Sequence, residues 1–191
     1  MVTVSDTQAL KNNVMELLLK YFHVHGDISI NDDLSVDVTG PVQAKLRSFP
    51  DNQLPVKFGI LGGLMVDNTG ITSWTNAPRF VKGHVWANSN PLTDLDQAPV
   101  EVTGYFGIFK TQIRDLHNLP KNINVLAIDY DAQLPLLPAL QAQHIDFPSG
   151  VSKAPEQVEE IMTKYAGKGK PGMIRAAVEL TRAGYKDNAR W

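Results

Sequence analysis

No cysteine occurs in the 191-residue chain. Disulfides, thiolate nucleophiles and Cys-based zinc sites are therefore excluded. Histidine is also sparse: five residues, with His84, His117 and His144 dispersed and no third ligand in sequence beside His23 and His25. No acid–His–nucleophile set recurs in one neighbourhood, and the pair Asp129 and Asp131 is a weak acidic signal alone. The expectation is a non-enzymatic protein with no metal and no cofactor. Long apolar runs are missing, with nothing near the roughly 20 residues a bilayer crossing needs. The start "MVTVSDTQALKNN" lacks a basic segment followed by an apolar one, so no secretory signal is expected. Net charge is small as well, 18 Lys and Arg against 20 Asp and Glu, which argues against wholesale binding to a duplex. With 43% hydrophobic and 20% charged residues, the chain reads as a soluble cytoplasmic protein with one sizeable core.

What the chain does have is a repeat. At a shift of 21 residues Gly62, Gly83 and Gly104 coincide, as do Pro78, Pro99 and Pro120. Apolar columns follow: Ile60, Val81, Val102 and Ile123; Leu64, Val85 and Phe106; Val66, Ala87 and Ile108. Further columns are Ile71, Leu92, Ile113 and Leu134, then Trp74, Leu95, Leu116 and Leu137. A fixed period in this range marks a solenoid. In each unit Leu64 and Val66, or their equivalents, alternate as a short strand with one face inward. A bend follows, with Thr69, Asn90 or Thr111 two residues before the next core position. The return arm, Ile71–Trp74 or Leu92–Leu95, then closes on Ala-Pro. One unit cannot bury its own apolar edge, so neighbours must stack. The fourth unit departs from the pattern. The 21-residue register turns Asp129 inward, whereas Leu126, Ile128 and Tyr130 alternate as the buried set, which predicts a local slip.

The units "GGLMVDNTGITSWTNAP" and "KGHVWANSNPLTDLDQAP" resemble the short leucine-rich-repeat-like proteins of tailed phages. The lead-in "INDDLSVDVTGPV" through "LPVKFG" is similar to the region before the first unit there, so the likeness spans roughly residues 28–140. The resemblance implies an α/β solenoid with a parallel sheet, in which Asn at the bend bonds backbone of the neighbouring turn. It also implies a phage-encoded binding scaffold, in some cases one engaging a host component, in the host cytoplasm or the virion.

The ends read as caps. Residues 1–26 carry a capping box, Ser5 to Gln8, then a stripe of Leu10, Val14, Leu17, Leu18 and Tyr21, with Gly26 as terminator. A hairpin is expected about Asn31-Asp32-Asp33. The resulting organisation is a helix–hairpin cap over residues 1–40, the solenoid over 41–147 and a basic helical hairpin over 148–191. Val158, Ile161, Met162 and Tyr165 predict the first helix of that hairpin. Pro171 opens the second, with Met173, Ile174, Ala177, Val178 and Thr181 as its apolar face. Residues 164–191 hold seven Lys and Arg against two acids, a net of +5 that leaves the rest of the chain at −7.

Two surfaces become candidate sites. If the inward strand positions are assigned correctly, Met65, His84, Trp86, Asn88, Tyr105 and Phe109 point outward as an aromatic stripe suited to a protein partner. The alternatives are cover by the C-terminal helices or a register off by one. Lys168, Lys170, Arg175 and Arg182 are the second candidate, as phosphate contacts to nucleic acid, against the reading that the basic hairpin only caps the solenoid. A virion structural role is a third reading.

Overall fold

The computed structural model describes residues 4–148 and 153–191. Its helices are α1 (Val4–Tyr21), α2 (Glu156–Tyr165) and α3 (Gly169–Arg182). The strands are β1 (Phe22–Val24), β2 (Ile28–Ile30), β3 (Val36–Ala44), β4 (Phe58–Met65), β5 (Phe80–Val81), β6 (Val85–Trp86), β7 (Glu101–Val102), β8 (Tyr105–Gly107), β9 (Val125–Ala127) and β10 (His144–Asp146). The strands form one sheet along the path β1-β3-β4-β6-β8-β9-β10, parallel from β3 onward. This is a parallel-sheet solenoid of about five turns, with helices at its two ends. Val42, Leu64, Val85, Phe106, Leu126 and Ile145 lie side by side, so successive turns take 22, 21, 21, 20 and 19 residues.

The inward columns are those the periodicity predicts, except that Ile60 is exposed and Leu61, paired with Val81, takes the buried place in its column. Leu64, Val66, Val85, Ala87, Phe106 and Ile108 are all buried, as are the return-arm residues Ile71, Trp74, Leu92, Leu95, Ile113 and Leu116. Trp74 fills the centre and packs its ring 5.8 Å from that of Phe106. The slip in the fourth unit is present: Leu126 pairs with Phe106 at a 20-residue offset, and Leu126 and Ile128 are buried. The return arms are not helical apart from two 3-10 turns, Pro50–Asn52 and Leu137–Gln141, so the α component of the fold comes from the two ends.

Three devices hold consecutive turns together. The first is the glycine column. β5 and β6 both pair with β4, and between them the chain bends at Gly83. A Cβ on Gly83 would stand 2.3 Å from the Gly62 carbonyl oxygen, and one on Gly104 2.6 Å from that of Gly83. Only a residue without a side chain permits that approach. The second is the bend residue. Buried Asn90 donates its amide to the carbonyls of Val66 (2.8 Å) and Ala87 (3.0 Å) and accepts from the N–H groups of Thr69 (3.0 Å) and Gly70 (2.9 Å). It thus joins two turns through four bonds to backbone, whereas the hydroxyls of Thr69 and Thr111 bond backbone only at Val66 and Ile108 of their own turns, Thr69 also donating to Asn90 Oδ1 at 3.3 Å. The third is a pair of corners with positive φ at the repeat period: Asn68, Ser89 and Lys110, then Asn76, Gln97 and Asn118. Asn tolerates this region better than most residues, and the column keeps the conformation where Ser, Lys or Gln takes its place.

The ends differ from expectation in three respects. α1 stops at Tyr21 because Phe22–Val24 pairs antiparallel with β3, and Gly26 (φ 106°) instead turns the chain toward β2. Ser5 lies inside the helix and not at its cap, and the chain before Val4 lies outside the described residues. Of the expected stripe only Leu18 and Tyr21 are buried, while Leu10 and Leu17 are exposed. The hairpin about Asn31–Asp33 is present, with Ile28 opposite Val38, and β3 continues it as the first parallel rung. At the other end α2 buries the predicted Val158, Ile161, Met162 and Tyr165. α3 is rotated by about one residue from its predicted phase: Gly172, Ala176 and Leu180 face inward, and Ile174 and Val178 face out. α2 packs on β10 and α3 on the 3-10 turn, which closes the last coil. Buried Asn188 latches the tail there, donating to the carbonyls of Asp131 (2.9 Å) and Leu134 (2.8 Å). The chain was expected to change character after the stretch 147–150, and residues 149–152 lie outside the described residues. No helix among the described residues is long and apolar enough to cross a membrane.

Two substitutions test this account by urea unfolding. Gly83→Ala, which overpacks the column, should cost about 3 kcal/mol. Asn90→Ala should cost a similar amount, about 3 kcal/mol, by stranding buried N–H and C=O groups. Asn90→Thr should recover only part, because a hydroxyl restores the bond within its own turn.

Candidate functional site

The outward side of the sheet carries two adjacent columns. Pairing places Met65 beside Trp86 and Gly107, and the preceding positions bring His84, Tyr105 and Val125 into line. Trp86 is 43% exposed. Its ring centroid lies 5.2 Å from that of Tyr105 with the planes tilted by 39°. Gly107 makes room for this pair, since a Cβ there would stand 2.5 Å from Tyr105 Cε1. Met65, Tyr105 and Phe109 are half-buried, so each offers an edge while its base is fixed by neighbours. The alternative of cover by the C-terminal helices does not hold for Trp86, because α2 and α3 pack against the end of the coil.

Asn88 requires a correction. It was expected on the outward stripe, but it is only 5% exposed. Its side-chain oxygen accepts the N–H of Phe109 at 3.1 Å, and its own N–H donates to Asp67 Oδ1 at 2.7 Å. Asp67, Asn88 and Phe109 therefore form a ladder that stitches three turns, and Asn88 is structural. His84 is exposed but also tied: its Nδ1 accepts the N–H of Tyr105 at 2.9 Å, so the neutral ring carries its proton on Nε2. The signal for this ladder was a polar side chain one repeat upstream of an N–H. It becomes readable only once the strand register is known.

Two carboxylates flank the aromatic pair. Burial pushes the Asp67 carboxyl above its usual range, against hydrogen bonds from Asn88 that pull it down. The Tyr105 hydroxyl is pushed up as well, first by burial and then by the charges of Asp146 and Asp67. Neither carboxylate has an ion pair among the described residues. On the N-terminal side Lys45 and Arg47 share a groove with Met65 and Asp67, and on the other side Lys153 shares one with Asp146.

The other candidates separate from this face. Lys168, Lys170, Arg175 and Arg182 are exposed on and beside α3, with no ion pair among the described residues. They stand at the C-terminal end of the coil. Asp129 and Asp131 do not act together: an oxygen of Asp129 accepts the N–H of Lys110, while Asp131 lies 3.7 Å from Arg114. The second Asp129 oxygen is buried without a hydrogen-bond partner and lines a small cavity with Thr111 and Arg114. Among the described residues no group of three His, Cys, Asp or Glu is placed to hold a metal ion.

The class of protein these features define is a capped parallel-sheet solenoid with an open aromatic–acidic face. Compared with known proteins, the chain matches no family model, no curated protein and no solved structure.

Asp67→Asn should keep the ladder, because an amide oxygen accepts the Asn88 N–H as a carboxylate does. A carboxyl raised by burial contributes stability in acid that is lost as pH rises through its titration. The variant should therefore melt above wild type at pH 7, with the gain shrinking as pH falls through the carboxylate range. Melting curves of the two proteins between pH 3 and 7 would check this.

Proposed function

We propose that the protein is a non-enzymatic recognition scaffold that binds another protein through the outer face of its sheet. The observation that carries this is the Trp86–Tyr105 pair, partly exposed on strands whose register is fixed by the glycine column and the Asn88 ladder. An aromatic pair held by a stacked backbone loses little conformational entropy when covered, which is the property of a binding hot spot. The resemblance of the repeats to leucine-rich-repeat-like proteins of tailed phages supports a phage or host protein as partner. It also supports the host cytoplasm, or the virion, as the place of action. A second reading, nucleic-acid binding through Lys168, Lys170, Arg175 and Arg182, is favoured by their exposure alone. Ile174 and Val178, exposed on the same helix, suit a protein surface better than a phosphate backbone.

The test is affinity capture from a nuclease-treated bacterial lysate with wild type and Trp86→Ala. The variant should melt within about 2 °C of wild type, since the ring is surface-borne, yet lose the captured protein by about 30-fold or more, as expected of a hot spot. Capture unaffected by the substitution, or a collapse in melting temperature, would sink the reading. Capture abolished by nuclease would move the function to the basic tail.

A further inference from the structure

We propose that the sheet face receives the outer face of α3 from a second copy of the chain, so that the protein associates head to tail. This rests on the reading of the sheet face as a recognition surface and names its occupant.

The two surfaces match in polarity, and the two carboxylates of the sheet face, with Lys45, Arg47 and Lys153 at its margins, are opposite in charge to the cations of α3. On the sheet, Trp86 and Met65 supply the apolar centre, and Asp67 and Asp146 lie to either side of Tyr105 without an ion pair among the described residues. On α3, Ile174 (52% exposed) and Val178 (45% exposed) supply the apolar centre, and Lys170, Arg175 and Arg182 surround it. The acids of α3 and of the tail after it are already engaged: Glu179 pairs with Lys164 at 2.8 Å and Asp187 with Arg190 at 3.5 Å. Lys170, Arg175 and Arg182 have no ion pair among the described residues, although the charge of Arg182 also acts on Glu179. An Arg from this helix would meet an exposed indole face with carboxylates beside it, which combines a cation–π contact with an ion pair.

The contact cannot be made within one chain. α3 is anchored through Gly172, Ala176 and Leu180 at the end of the coil, and it turns Ile174 and Val178 away from the turns it caps. The sheet face belongs to the middle turns. The charge division of the whole chain, +5 over residues 164–191 against −7 elsewhere, favours the same pairing between copies. Each copy offers one face and one helix, so the contact is heterologous, and without a closing rotation it extends into a chain of protomers.

Sedimentation of the full chain between about 5 and 500 µM, in 50 and 500 mM salt, tests the proposal directly. At low salt the weight-average mass should rise with concentration to twice the monomer mass or more, and it should fall back to monomer at high salt. Trp86→Ala alone and the double variant Arg175→Glu/Arg182→Glu alone should each remain monomeric at low salt. An equimolar mixture should form one-to-one dimers and nothing larger, because it holds one intact face and one intact helix. All three substitutions fall on exposed positions, so folding is not at stake.

A monomer at every concentration in low salt would overturn the proposal, as would association that persists in either variant or ignores salt. The lysate experiment separates the two levels. A monomeric protein whose captured partner is still lost with Trp86→Ala leaves the recognition surface standing and removes only its self-docking. A monomeric protein whose capture does not depend on Trp86 removes both.

Discussion

The close approach of one backbone to the next at the glycine column governs the rest of the structure. The position a Cβ would take on Gly83 lies well inside van der Waals contact with the Gly62 carbonyl, and the same holds from Gly62 to Thr39 and from Gly104 to Gly83. That approach fixes where each turn sits on the one before. Once it is fixed, the inward strand residues stack without freedom to slide, because a shift of one residue would turn the buried set outward. The outward residues are registered by the same act. The placement of Trp86 next to Tyr105 is therefore decided at Gly83, on the other side of His84.

Much of the coil could be read from the amino-acid order, and the reason is physical. A solenoid repeats its chemistry at the spacing at which it repeats its geometry, so the columns headed by Leu64, Ile71 and Trp74 are at once sequence patterns and layers of the core. Even the slip near Leu126 was legible, because an Asp does not go inward when Leu and Ile stand beside it. The ends were less legible because they repeat nothing. The spacing of Met173, Ile174, Ala177 and Val178 fits a helix face, but two adjacent apolar pairs leave its phase open by one residue, and in the fold Gly172, Ala176 and Leu180 take the buried side. Phe22 and Val24 continue an apolar stripe on paper, yet they complete an antiparallel pair with β3 that local spacing cannot reveal.

The candidate site was legible as a set of residue types and less so as roles. Trp86 and Tyr105 are where the alternation puts them. Asn88 and His84 follow the same alternation but spend their acceptors on backbone N–H groups of the next turn. A polar side chain on a stacked strand has two uses, facing solvent or holding its neighbour, and the pattern alone does not distinguish them. The same division separates Asn90 from Thr69 and Thr111: all three occupy the bend, and only the amide bonds the backbone of two turns at once. Exposed aromatic surface and cohesion between turns are thus interleaved along one strand face.

The shortening of the turns, from 22 residues at the start to 19 at the end, gives the coil a direction. A rod with equal turns grows or shrinks at any point by gene duplication, and its length is arbitrary. A tapered one has interchangeable units only where neighbouring turns are equal, which here means the two 21-residue steps through Val85. Those steps carry the aromatic pair. Unequal crossing-over in this gene would multiply or remove copies of the segment that carries the aromatic pair while leaving both caps seated on the turns they fit. The taper thereby confines heritable length variation to the part of the molecule that meets the outside.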